Sequence, residues 1–228
     1  GVTELGIVMA AVGHSMALEP FLGTIILGAA AIEQTGSKRQ KDEILPSLAA
    51  GKAILAFCHT EPAAGYDRAF VRSVARREGD GYVLNGEKDF TLGAHAASTL
   101  IVSARLGSES GTLALFLVPS EAAGVARSRA PALAGRPVAT ISLRSVHLPA
   151  ETLLGENDAD RLVVIERVLD RGAIGVCAEA CGAMSTLIEM TAAYLKIRVQ
   201  FDQPLAKFQV LQHRLVDMSV AAEQARAI

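Results

Sequence analysis

Apolar positions change their spacing twice along the chain. From about Thr3 to Leu18 they recur with a helical period, and a second helical stretch runs from Phe21 to about Thr35 through the apolar run FLGTIILGAAAI. Gly36 stops it. Ser37-Lys38-Arg39-Gln40 has the spacing of a capping box, so a third helix starts there, breaks near Pro46 and ends by Gly51. From about Lys52 to Ala150 the period falls to two. AILAFCH is a short apolar run, and Asp80-Gly81 and Asn85-Gly86 supply turn dipeptides between alternating stretches. TLIVSAR, GTLALFLVP and ATISLRSVHLP follow at the spacing of an antiparallel sandwich or barrel. From about Asn157 the helical period returns, with Asn157 as cap and Asp158 and Asp160 in a first turn that favours negative charge. No proline follows until Pro204, so one helix of roughly 35 residues, on the order of 50 Å, is expected, and Pro204 is placed to open a final helix. The chain is α+β, ordered helices, sheet, helices, and divides into 1–51, 52–156 and 157–228.

Composition narrows the classes. Half of the residues are hydrophobic, which excludes intrinsic disorder. With 22 Lys+Arg against 24 Asp+Glu and a net charge of −2, nothing offers a nucleic-acid backbone an electrostatic footprint. The Phe21–Ile32 run is shorter than the roughly 18 residues that cross a bilayer, so no membrane span is expected. The first residues lack the basic start of a secretory signal, and the absence of an initial Met suggests a trimmed or incomplete chain. Cys58, Cys177 and Cys181 make no disulfide framework, which points to the cytoplasm.

Common chemical motifs are missing. There is no G-x-G-x-x-G after a strand, no Walker loop, no HExxH and no G-x-S-x-G. The five histidines are scattered. Cys58 and His59 are adjacent on a strand and face opposite sides, a poor metal site, while Cys177 and Cys181 read as small core residues on one helical face. An organic cofactor is therefore the expected source of any catalysis.

Four segments, in order, carry a resemblance. GSKRQKDEILPSLAAGK precedes FCHTEPAAGYD, which is similar to a T-E-P-x-A-G-S-D segment. YVLNGEKDFTLGAHAASTLIV looks like N-G-x-K-x-W-I-T-N followed by A-D-x-x-I-V, and RVQFDQPLAKFQVLQHRLVDM resembles R-x-x-F-G-x-P-L-x-x-F-Q with L-A-D-M after it. Together they resemble the acyl-CoA dehydrogenase family of flavoproteins. The Tyr66-Asp67 ending is similar to a divergent branch of small subunits in heteromeric enzymes, that of pimeloyl-CoA dehydrogenase among them. The family architecture is an N-terminal helical domain, a middle β domain and a C-terminal helical bundle, against which this chain looks truncated at both ends.

The resemblance implies FAD-dependent oxidation of an acyl-CoA to the 2-enoyl-CoA: a carboxylate takes the α proton and flavin N5 takes the β hydride. Phe57, His59 and Thr60 would line the flavin ring, and Gly65 would let the backbone approach. Tyr66 replaces a Ser beside pyrophosphate and substrate, and Phe90 replaces the Trp that covers the flavin. Thr91 and Leu92 stand where the family has Ile-Thr, so the hydroxyl near N5 is missing from Leu92, and Thr91 would face the wrong side of the strand. Arg198 would pair with flavin pyrophosphate across a subunit interface, and Phe201, Phe208 and Gln209 would flank the adenine. Asp202 replaces a Gly near those phosphates. The base is either a Glu beyond Ile228 or Asp170, followed by Arg171; the bland reading of Asp170 is a helix acid paired with Arg167 or Arg171. Implied partners are an acyl-CoA, an electron-transfer flavoprotein and a homotetramer or a heterotetramer with a second dehydrogenase-like subunit. Two other readings stay open: a non-catalytic structural partner in a heteromeric complex, and an oxidase or monooxygenase on the same fold.

Overall fold

A computed structural model describes residues 1–132, 135–155 and 160–228. They form two compact units, Leu18–Gly172 and Gly1–Ala17 with Ala173–Ile228, a grouping that differs from the division at 51 and 156.

The larger unit is built on a seven-stranded sheet: β1 (Leu55–Cys58), β2 (Val74–Glu78), β3 (Gly81–Leu92), β4 (Thr99–Leu106), β5 (Leu113–Pro119), β6 (Val125–Pro131) and β7 (Pro137–Pro149). Its order is β1-β4-β2-β3-β7-β6, with β5 on the other side of β4. The sheet is mixed rather than antiparallel. β1 and β2 lie end to end along one edge of β4, and both are parallel to it. The chain between them, residues 59–73, therefore leaves the sheet and returns to the same edge.

Period-two alternation sorts the side chains into two cores. Ala56, Cys58, Leu100, Val102, Phe116 and Ile141 share the inner cluster, while Leu55, Phe57, Ile101, Leu115, Ile165 and Val168 form a second on the opposite face. Helix α2 (Leu22–Thr35) lies on that second face; its first part, Leu22–Ala29, is wound as a π-helix. It approaches closely because a Cβ at Gly23 would strike the Leu92 carbonyl and one at Gly28 the Leu55 side chain, and Thr24 Oγ1 donates to Leu55 O at 3.0 Å.

Three local readings need correction. Helix α3 (Lys38–Ala49) has the expected capping box but runs through Pro46, because losing one N–H leaves the last turn closed by Ala50 N–H to Pro46 O at 3.0 Å. The β2–β3 turn is centred on Gly79-Asp80, one residue earlier than the expected dipeptide. Asn85-Gly86 makes no turn at all. It is a register shift within β3, where Asn85 Oδ1 accepts from Ser145 N–H at 2.8 Å.

Helix α4 (Leu162–Ile197) opens with Leu162 N–H donating to Asp160 Oδ1 at 3.0 Å; the expected cap Asn157 and its neighbour Asp158 lie outside the described residues. Among the described residues α4 is the one helix long and apolar enough to cross a membrane, which the reading of Phe21–Ile32 overlooked.

In the smaller unit, α1 (Val2–Ser15) crosses α4 at backbone contact. A Cβ at Gly13 would run into the Glu179 carbonyl, and one at Gly182 into the Ala10 carbonyl. Cys177 is exposed and Cys181 half-buried beside this crossing, so neither is a core residue: the small glycine contact leaves their face open. Gly182→Ala is expected to cost about 1–3 kcal/mol by overpacking. A thermal melt should fall by about 3 °C or more, and an unchanged Tm would contradict the crossing. A two-residue hairpin, β8 (Val199–Gln200) and β9 (Gln203–Pro204), precedes α5 (Gln209–Ala227). Pro204 thus closes a hairpin rather than opening the last helix. Its central residues Phe201 and Asp202 both have positive φ, 54° and 62°, as a primed turn requires.

Candidate functional site

The excursion from β1 to β2 begins against β3. Asp89 N–H donates to Thr60 O at 2.8 Å, which ties the chain just past β1 to β3. Phe90 follows in left-handed conformation, φ 50°, at an irregularity between Lys88 and Thr91. That break in alternation turns the Phe90 ring outward, 62% exposed, and drops Thr91 into the interior. Positive φ is unfavourable for an aromatic residue and persists only where neighbours over-determine it. Here Asp89 Oδ1 accepts both Phe90 N–H and Thr140 Oγ1–H at 2.8 Å. The result is a rim on which exposed Thr60 is tied by one backbone bond to Asp89, next to exposed Phe90.

A buried polar network lies beneath the rim. Lys88 is wholly buried on β3, and its Nζ spends its three donors on Glu61 Oε1 at 2.7 Å, Ser103 Oγ at 3.1 Å and His59 O at 3.3 Å. Glu61 also accepts from Ser73 Oγ at 2.7 Å and from the backbone N–H groups of Arg72 and Ser73 at 2.8 and 3.0 Å. Burial raises the Glu61 carboxyl, but the Lys88 charge and these donors outweigh it and hold the group below its ordinary value. Burial pulls the Lys88 ammonium downward against the opposing pull of Glu61. Cys58, at zero exposure on the inner face, has its thiol pushed up to about 12 by burial and is inert as a nucleophile.

His59 extends the network toward the loop. Its Nδ1 lies 2.9 Å from Ser103 Oγ and its Nε2 3.0 Å from Arg68 O. A carbonyl only accepts, so Nε2 carries the hydrogen. Ser103 accepts from Lys88, so its own proton goes to Nδ1, and the ring is the neutral Nε2–H tautomer. Burial, aided by the Lys88 charge, pushes its pKa down to about 4. Beside it a cavity of about 260 Å³ is lined by Thr60, Gly65, Tyr66, Arg68 and Leu169 among others.

This rim coincides with a known family. Residues 56–146 match the acyl-CoA dehydrogenase middle domain, and residues 162–228 match the acyl-CoA dehydrogenase C-terminal domain. The chain belongs to the acyl-CoA dehydrogenase family. It is similar to a 3-(aryl)acrylate reductase of Clostridium sporogenes, 34% identical over 198 residues, 85% of this chain and 52% of that protein. It is also 30% identical to the human mitochondrial short-chain specific acyl-CoA dehydrogenase, over 100% of this chain and 53% of the relative. A solved glutaryl-CoA dehydrogenase from Mycobacterium smegmatis in complex with FADH2 shares its fold at a TM-score of 0.83 and 32% identity, over 90% of this chain and 52% of that one. The chain thus spans about half the length of the curated relatives it matches.

Set against the residues expected from the family resemblance, Thr60, Gly65 and Tyr66 line one cavity, and Phe90 follows Asp89, which is bonded to Thr60. Gly65 has φ 56° with open space around it, and Tyr66 is fully exposed. The others lie in different surroundings. Phe57 is 7% exposed and packs in the outer core, so only its backbone could meet a ligand. Thr91 is 2% exposed, with Oγ1 directed to Asp89 O at 3.5 Å. Leu92 lines a different cavity of about 200 Å³ with Pro20, Gly23 and His95. His59 lines the cavity from below but is itself bonded at both nitrogens. Asp170 pairs with Arg68 at 2.6 Å, not with Arg167 or Arg171, and Arg171 reaches Glu33 at 3.3 Å. Arg198, Phe201, Phe208 and Gln209 belong to the smaller unit. There the Phe201 and Phe208 rings meet edge to face at 6.0 Å, and the Arg198 side chain is exposed.

The sequence reading missed Lys88, Glu61, Ser103 and Arg68 as working parts. A signal for the first two existed: a lysine in step with inward strand positions requires a buried acid, and the Glu of the TEP segment is that acid.

Proposed function

We propose that the intact protein binds FAD and oxidises an acyl-CoA thioester to the 2-enoyl-CoA. The observation that carries this reading is the Thr60–Phe90 rim, held by the Asp89–Thr60 backbone bond within the span that matches the middle domain. Its chemistry fits the isoalloxazine end of a flavin: an exposed hydroxyl for the polar edge and an exposed aromatic face for the ring. When bound, the flavin would supply a hydride acceptor. The chain's own contribution is to hold Thr60 as a hydrogen-bond partner, to cover the ring with Phe90, and to exclude water with the loop that carries Tyr66. Arg198 is proposed for the flavin pyrophosphate, with Phe201, Phe208 and Gln209 near the adenine. The base is proposed as Asp170, followed by Arg171, or as a Glu beyond Ile228, as in most of the family; the half-exposed pair of Asp170 with Arg68 leaves its carboxylate available. The divisions 1–51, 52–156 and 157–228 are proposed as portions of the family's three domains. A cytoplasmic tetramer without a membrane span, passing electrons to an electron-transfer flavoprotein, completes the reading.

The test is direct. The intact protein should isolate with a flavin absorbance band that bleaches on adding an acyl-CoA. Phe90→Ala should weaken FAD by about 5–10-fold, the scale of a lost aromatic contact of about 1–1.5 kcal/mol. Flavin-free protein that takes up no FAD rejects the proposal.

One observation favours the structural-partner reading: Leu92 offers no hydroxyl at its position. Co-purification with a second dehydrogenase-like chain that alone holds flavin would establish it, and turnover by a homo-oligomer would remove it. Rapid reaction of the reduced flavin with oxygen would instead mark an oxidase or monooxygenase.

A further inference from the structure

We infer that His59 is a positioning residue that clasps the 61–70 loop, not a contact for the flavin ring. The loop is anchored at three heights. At its base, Glu61 accepts from the N–H groups of Arg72 and Ser73. Midway, Arg105 donates to Ala69 O at 2.8 Å and to Val71 O at 3.0 Å. Nearest the tip, His59 Nε2–H donates to Arg68 O at 3.0 Å. Beyond that point residues 62–67 hold only local turns, such as Ala64 N–H to Glu61 O and Asp67 N–H to Ala64 O, both at 3.0 Å. The Arg68 side chain adds a half-exposed ion pair to Asp170, a contact worth little in water. His59 is thus the outermost buried anchor before Gly65 and Tyr66.

The clasp is aimed by what lies behind it. Lys88 fixes the Ser103 hydroxyl, Ser103 fixes the bare Nδ1, and the ring must then present Nε2–H outward to Arg68 O. Charge buried under β3 is converted in this way into one oriented donor at the loop. That the loop serves a flavin site rests on the function proposed above; the clasp itself does not.

Two isosteres separate the nitrogens. Gln places an amide where Nε2 stands, and Asn places one where Nδ1 stands. In the intact protein without added ligand, His59→Asn should speed hydrogen exchange of amides 63–68 about 10-fold, the loss of one bond worth about 1.4 kcal/mol, while exchange at 71–75 stays unchanged. Trypsin should then cut faster after Arg68. His59→Gln should resemble wild type in both assays. Equal loosening by both variants, or by neither, overturns the clasp. Should His59→Asn not fold, Ser103→Ala removes the group that aims the ring and should loosen the same amides; no change there also overturns it. FAD affinity is read separately. A fall in His59→Asn alone ties the clasp to the flavin, whereas unchanged affinity with a loosened loop leaves the clasp standing and removes the flavin from this loop.

Discussion

Lys88→Met is expected to destabilise the protein by about 3–5 kcal/mol, because it strips the counter-charge from a buried carboxylate and leaves His59 O and Ser103 Oγ without their donor. Lys88 is fully buried and Glu61 is 6% exposed, so water cannot replace the lost partner. The pair's net worth is smaller than the cost of breaking it, since desolvating both charges offsets much of their attraction. Lys88→Met combined with Glu61→Gln should therefore recover more than half of the loss. Chemical denaturation of the four-member cycle measures this directly. A Lys88→Met protein within about 1 kcal/mol of wild type would show that the carboxylate finds another partner.

Acid should produce the second large effect. The folded protein keeps His59 neutral until pH about 4, whereas the unfolded chain protonates it near its ordinary value of 6.5. The stabilisation is complete above pH 6.5 and is lost as pH falls toward 4, with no further loss from this group below that. Across the window the loss is about 3 kcal/mol, since the unfolded state binds the extra proton. The groups that face the ring are Lys88, Glu61 and Arg68, and Glu61 titrates lower because its own value is depressed. Denaturation midpoints at pH 7 and pH 4.5 should diverge in wild type more than in His59→Gln, which has no such proton to bind. Equal slopes in the two proteins would show that His59 is accessible to protons in the folded state.

Much of the architecture was legible because its signals are local. The capping box at Ser37–Gln40 depends on residues three apart, and the strand segments announce themselves by alternation. What escaped was set by partners distant in sequence. Nothing near Asn85-Gly86 shows that Ser145 will hold it as a bulge instead of a turn. Pro46 reads as a breaker because sequence shows the missing N–H and not the bonds that close the turn behind it. At the proposed site, motif order alone points to Thr60 and Phe90. The inward fate of Thr91 depends on the break in alternation at Phe90, and that of Phe57 on α2 covering this face. Asp170 was assigned partners on its own helix, while its ion pair comes from Arg68, a hundred residues earlier in the chain.

The end-to-end placement of β1 and β2 on one strand has an evolutionary consequence. β4 aligns β1, and β3 and β4 together align β2, so residues 62–67 of the span that departs and rejoins lie outside the ladder. Its tip is free to drift in length and chemistry while the scaffold stays put. Substitution at fully exposed Tyr66 thus leaves the sheet registers untouched, so the tip is a place where sequence can change without disturbing the scaffold.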